Sequence, residues 1–196
     1  MNAALTTKIL ARRAKLASPG FARSRENDLI RFLSKKSERK FAALFAGGPE
    51  SKNLQYYLAL WRGVNALDGT CRKAMRRILG TEIDLHNILW VYRLKRFYGI
   101  FGDETYGFLV PVRYRLSADA LDKIVACKTI SAMQSQVSTI VIGSVFGDFL
   151  PGDISPEQRI YNAVTKLYQS ESRRSHMALL CWYLYEVEKV YKWSQN

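Results

Sequence analysis

Apolar residues recur every three or four positions along most of this chain, the spacing of one face of an α-helix. Leu54, Leu58, Trp61, Val64, Leu67, Cys71, Met75 and Ile78 form the longest such run. They predict a single helix of about seven turns. Gly80 is a natural stop for it, because glycine alone enters the left-handed region without penalty. Thr81 then predicts the N-cap of a second helix, with Asp84 three residues on in the place of a capping-box acid. Leu85, Ile88, Val91 and Tyr92 carry the apolar stripe of that helix. Glu82 and Asp84 fall in its first turn and Arg93, Lys95 and Arg96 late, each where the helix dipole favours its charge. Two helices separated only by Gly80 and Thr81 should fold back as a hairpin or bend sharply. Asn87 lies beside the stripe, and its amide needs partners if it is buried.

The remaining pattern is also helical. Residues 5–16 read as a basic amphipathic helix ended by Ser18-Pro19-Gly20. Ser24 can cap the next helix, whose apolar face is Leu29, Ile30, Leu33, Phe41, Leu44 and Phe45, with a kink near 34–37 and a stop at Gly47-Gly48-Pro49. Ser51 begins the seven-turn run. Downstream, 99–107 predicts a loop and 108–112 a short extended segment. Ser117 caps a helix bearing Leu121, Ile124 and Val125, and another runs over 130–140. Gly143, Gly147, Pro151 and Gly152 mark an irregular connection. Pro156 opens a helix at its first position, with Ile160, Val164, Leu167 and Tyr168 on its face, and 176–193 form the last. The fold class is therefore all-α. Leu29 to Leu33 followed by Phe41 has an echo in Leu121 to Val125 followed by Ile130 or Met133, and Glu82-x-Asp84 has one in Glu186-x-Glu188. These echoes predict repeated helical-bundle modules, each a short helix, a short helix and a long helical hairpin, in about two copies at 1–107 and 108–196.

Composition narrows the classes. With 196 residues, 48% hydrophobic and 24% charged, the chain can bury a core and is not of disordered type. A net charge of +13 calls for an acidic partner, whether nucleic acid, anionic lipid or an acidic protein face. Cys71, Cys127 and Cys181 form no CxxC and read as reduced thiols packed as small apolar residues. Residues 1–25 carry Lys8, Arg12, Arg13, Lys15, Arg23 and Arg25 and no acid, which suits a mitochondrial presequence as well as a basic amphipathic helix. No apolar run approaches the roughly 18 residues of a spanning helix, so the expectation is a soluble or membrane-peripheral protein.

Candidate chemistry is sparse. His86 can pair with Glu82 across one turn, but neither it nor His176 has further ligands at close spacing, so no metal site is expected. Gly47-Gly48-Pro49 is followed by no GK[ST], and no GxSxG elbow is present. Glu186 and Glu188, two apart on a helix, face different ways and make a poor acid–base pair. No catalytic residue and no cofactor are expected. The basic clusters are Lys35, Lys36, Arg39 and Lys40, and Arg72, Lys73, Arg76 and Arg77. They read as solvated helix faces or as partner-binding surfaces. Together with plentiful aromatics they also fit a basic helical nucleic-acid-binding protein.

Glu82-x-Asp84-x-x-Asn87-Ile88 followed by Arg93-x-Lys95 resembles the repeated signature of the C subunit of V-type and A-type rotary ATPases, whose eukaryotic counterpart is the d subunit. The resemblance continues through Phe108 to Pro111 and Leu116-Ser117, and reappears in Tyr183, Leu184, Glu186 and Glu188. It covers most of the chain from about Leu54 onward and, more loosely, the N-terminal 45 residues. It implies a non-catalytic central-stalk component that couples the rotor shaft to the membrane rotor ring for proton or sodium transport, peripheral on the cytoplasmic face of the membrane. Its partners would be shaft subunits and the ring, with Arg72, Lys73, Arg76 and Arg77 as candidate contacts. Glu82, Asp84, Asn87, Arg93, Lys95, Glu186 and Glu188 would then be a structural set. The resemblance implies three modules around an axis, and this chain has room for about two, so it reads as a shortened or fragmentary member.

Overall fold

The helix that carries Glu82, Asp84 and Asn87 runs unbroken from Gly69 to Arg93 in the computed structural model, straight through Gly80 and Thr81. The structure describes residues 3–13, 29–46, 54–145 and 155–193, with the side chains of 188–193 left out. The elements are α1 (Ala3–Arg13), α2 (Lys36–Ala46), α3 (Leu54–Asn65), α4 (Gly69–Arg93), a π-helical turn (Leu94–Tyr98), a 3₁₀ helix (Gly102–Phe108), α5 (Ala118–Ala126), α6 (Ile130–Ser138), a second 3₁₀ helix (Val141–Val145), α7 (Pro156–Ser172) and α8 (His176–Trp193). Among the described residues every regular element is helical and none is a strand. The protein is all-α.

Two expectations about the centre of the chain are overturned together. The seven-turn helix is broken at 66–68, and the predicted break at Gly80 is absent. At the first place, Gly69 has φ +48° and its missing Cβ would meet no atom, so glycine is used there for its backbone freedom. At the second, a Cβ on Gly80 would lie 2.5 Å from Tyr114 Cγ and 2.6 Å from its Cβ. Glycine is used there for close approach of the 109–116 segment. Thr81 is no N-cap; its hydroxyl donates back to the Arg77 carbonyl at 2.8 Å, one turn earlier in the same helix. A prediction separates the two readings. Gly80→Ala would raise stability by about 1 kcal/mol if helix propensity decided. We expect a net loss of about 1 kcal/mol from overpacking instead, measured by denaturant unfolding. Tyr114→Ala should not relieve it, because Tyr114 Cβ is itself in the way, whereas Tyr114→Gly should.

The described residues group into two compact units, 1–76 with 166–196, and 77–165. The chain passes from one to the other within α4 and returns within α7. In the first unit α1 packs on α8, and α2 packs on both α3 and α8. Leu5, Ile9, Phe41, Tyr57, Leu60 and Met75 are among its fully buried side chains. Sequence spacing favoured Leu54, Leu58 and Trp61 for the buried face of α3. The structure buries Val64 as expected, buries Tyr56, Tyr57 and Leu60 beside it, and leaves Leu54, Leu58 and Trp61 half-buried. The tyrosine rings supply the apolar bulk that pattern reading assigned to leucine and tryptophan.

In the second unit, α5 packs on α6 and on the first 3₁₀ helix, and α6 on the second. Ser117 caps α5 as predicted, accepting from the Ala120 N–H at 3.1 Å. Pro156 opens α7 behind Ser155, whose hydroxyl accepts from Gln158 N–H at 3.2 Å. Residues 99–107, expected as a loop, contain most of the 3₁₀ helix Gly102–Phe108. The π-helical turn after α4 shifts the phase of the helix face. Phe97 and Tyr98, within this turn, are 69% and 73% exposed. The predicted features at Ser18-Pro19-Gly20, Ser24, Gly47-Gly48-Pro49, Ser51, Gly147, Pro151 and Gly152 lie outside the described residues.

Candidate functional site

Asp84 and Asn87 are neighbours on one face of α4, and both are 0% exposed. That face meets the backbone of 109–116. Asn87 Nδ2 donates to the Val110 carbonyl at 2.9 Å, and the Val110 N–H donates to Asn87 Oδ1 at 2.9 Å. One side chain thus bonds both backbone groups of a buried residue that lies in no strand or helix, and the Val110 carbonyl also accepts from the Val112 N–H at 2.7 Å. Asp84 gathers three consecutive amides: Tyr114 N–H donates to Oδ1 at 3.1 Å, and Arg115 and Leu116 N–H donate to Oδ2 at 2.6 and 3.0 Å. Successive amides turned onto one carboxylate make an anion nest, here placed immediately before the Ser117 cap of α5. Burial pushes the Asp84 carboxyl above the ordinary carboxylate range, against the pull of the three amides.

Lys95, in the π-helical turn, is buried and caps the other end of α5. Its Nζ donates to the Val125 carbonyl at 2.7 Å and the Cys127 carbonyl at 2.7 Å. A cation on the last carbonyls of a helix also meets the negative end of its dipole. Nζ sits 4.9 Å from the Phe101 ring centroid as well. Burial lowers the Lys95 pKa from its ordinary value. Asp84 and Lys95 therefore hold the two ends of α5 from the same stretch of chain. Arg93 makes an ion pair with Glu157, partly open to solvent, of the kind that contributes little. The partners of Asp84 and Asn87 are backbone groups of the 109–116 segment. Glu82 is buried, with His86 Nε2 at 4.0 Å one turn on.

In the first unit, Glu186 on α8 accepts a two-pronged contact from Arg13 on α1, at 2.9 and 3.1 Å. The Arg13 guanidinium also lies 3.5 Å from the Trp182 ring centroid. No sequence pattern points to this clamp, which joins α1 to α8. The Glu188 side chain lies outside the described residues. Arg72, Lys73, Arg76 and Arg77 are all exposed on α4, and Arg76 lies 5.4 Å from the Trp61 ring centroid.

A third grouping, in the first unit, is equally invisible in the sequence. Glu38 of α2, Cys71 of α4 and His176 of α8 converge, with one potential ligand atom from each within 4.8 Å of the others. The expectation of no metal site rested on close spacing in sequence, whereas Cys71 and His176 stand 105 residues apart. Cys71 fits an apolar stripe and Glu38 sits inside a basic run, so neither stands out locally. Hydrogen bonding to Cys71 first, with a smaller contribution from Glu38, raises the His176 pKa against the effect of burial.

The family model described as ATP synthase (C/AC39) subunit matches residues 53–191, well over half of the chain. Neither the curated proteins nor the solved structures gave a match.

Proposed function

We propose, from the premise that this chain belongs to the ATP synthase (C/AC39) subunit family, that it is a non-catalytic central-stalk subunit of a V/A-type rotary ATPase. In this reading it couples the rotor shaft to the membrane rotor ring for proton or sodium transport, peripheral on the cytoplasmic face of the membrane. The observation that carries the reading is the use made of the polar set. Asp84, Asn87 and Lys95 are buried and bound to backbone groups. A spacer that transmits torque needs such internal ties, whereas a catalytic acid, base or amide must reach a substrate. Among the described residues no helix is long and apolar enough to cross a membrane, which suits a peripheral position.

The exposed Arg72, Lys73, Arg76 and Arg77 are the proposed contacts with an acidic face of the shaft or ring. Exposed Phe97, Tyr98 and Phe101 offer a second, apolar contact. The sequence modules 1–107 and 108–196 are proposed as two copies of one helical unit, on the echo of Glu82-x-Asp84 in Glu186-x-Glu188. No cofactor is needed for this role.

The test is co-purification. Replacing Arg72, Lys73 and Arg76 by Glu should remove the chain from complexes with shaft and ring subunits, and high salt should loosen the wild-type complex in the same direction. Tight binding of random RNA or DNA at physiological salt, lost in the same variant, would instead support the nucleic-acid reading. Assembly unchanged by the reversal would remove this face from the proposal.

A further inference from the structure

We propose that Glu38, Cys71 and His176 form a binding site for a divalent cation of zinc's class, a site independent of the stalk role above. The three residues offer a carboxylate, a thiolate and an imidazole, the donor types that zinc takes. They come from three helices, α2, α4 and α8, and all three residues belong to the first compact unit. Glu38 and Cys71 are buried and the His176 side chain is 19% exposed, so the cluster is sheltered yet open on one side.

Two of the three distances between potential ligand atoms match the edges of a tetrahedron. His176 Nε2 lies 3.1 Å from Glu38 Oε1 and 3.8 Å from Cys71 Sγ. With bonds of about 2.0–2.1 Å to nitrogen and oxygen and about 2.3 Å to sulfur, tetrahedral zinc sets nitrogen–oxygen edges of about 3.3 Å and nitrogen–sulfur edges of about 3.6 Å. Two edges are therefore within about 0.2 Å of those values. The third, from carboxylate to sulfur, is no longer than 4.8 Å and must shorten to close. Cys71 Sγ also lies 4.0 Å from Nδ1, so the imidazole must turn to aim Nε2 at a shared ion. Three protein ligands leave a fourth position for water or an added ligand on the open side.

A buried hydroxyl stands beside the Cys71 sulfur. Ser175, itself buried, has its Oγ 3.6 Å from Cys71 Sγ in donor orientation. The same Oγ accepts from the Ala178 N–H at 3.2 Å, so its proton is free to turn to the sulfur. A hydroxyl fixed in this way supports a metal-bound sulfur from outside the ligand set. Cys181, whose thiol is pushed well above the ordinary value by burial, has no place in the cluster. Charge also balances. One carboxylate and one thiolate neutralise a divalent cation, and the thiol proton and any imidazolium proton leave to solvent on binding.

The test uses the full chain, stripped with chelator, kept under reductant and titrated with cobalt(II) alone, then with zinc(II). We expect one equivalent of cobalt to give a sulfur-to-cobalt charge-transfer band, bleached by zinc. Cys71→Ser should abolish the band, and Ser175→Ala should weaken binding about tenfold while keeping it. His176→Ala and Glu38→Gln should weaken binding by more than Ser175→Ala does. Cys127→Ser should match wild type. Circular dichroism of the metal-free variants checks that each is folded; if Cys71→Ser is not, Ser175→Ala, which keeps all three ligands, decides the question. No band at one equivalent, a band that survives Cys71→Ser, or a Ser175→Ala affinity equal to wild type overturns the site.

Discussion

Asp84→Ala should lower the unfolding free energy by about 3–4 kcal/mol, one of the two largest effects expected of a single substitution in this chain. The reason is not the loss of one contact. The carboxylate accepts from the amides of Tyr114, Arg115 and Leu116, and alanine leaves all three without it. A stranded buried donor costs about 1–3 kcal/mol. Leu116 is buried and bears most of this; Tyr114 and Arg115 are exposed residues whose amides can recover water. The pH dependence has a definite sign. Burial raises the Asp84 pKa above the ordinary 3.8. A raised acid binds its proton more tightly in the folded state than in the unfolded chain. Its contribution to stability therefore grows as the pH falls from above the folded pKa towards 3.8. Denaturant unfolding of wild type and Asp84→Ala should show a stability gap wider at the acid end of that window than at pH 7. A gap that narrows on acidification would mean that the amides, and not burial, dominate the carboxyl.

The second large effect belongs to Asn87. Asn87→Leu keeps the volume near constant and strands the N–H of Val110, which is buried, while the Val110 carbonyl keeps the Val112 N–H at 2.7 Å. We expect a loss of about 1–3 kcal/mol. Asn87→Asp is the sharper variant. It keeps an acceptor for the Val110 N–H, loses the donor to the Val110 carbonyl and sets a buried charge against that carbonyl. It should be less stable than Asn87→Leu at pH 7 and recover towards it in acid, as the carboxyl protonates and regains a donor. Because Asp84 and Asn87 tie down the same 109–116 segment, the double variant should lose less than the sum of the single losses. Full additivity would show that the segment is held at two independent points.

How much of this was legible in the sequence can be judged residue by residue. The all-α class, the Ser117 cap, the Pro156 start and the span of the last helix followed from local rules, because caps, proline and helical periodicity act within a few residues. The resemblance carried by Glu82-x-Asp84-x-x-Asn87 was also visible, since a motif is a local object. Its physical meaning was not. Asn87 and Val110 are 23 residues apart, and Asp84 and Leu116 are 32 apart, and nothing local says that a loop backbone will lie there. The same holds for Gly80. A glycine that permits left-handed backbone and one that permits close packing are the same letter, and only the position of Tyr114 chose between them. The cluster of Glu38, Cys71 and His176 is the extreme case, three residues that local rules placed in three different categories. Short-range rules determined which segments coil into helices. Tertiary structure decided which polar groups are buried, because burial is set by what packs on a face, and that partner is distant along the chain.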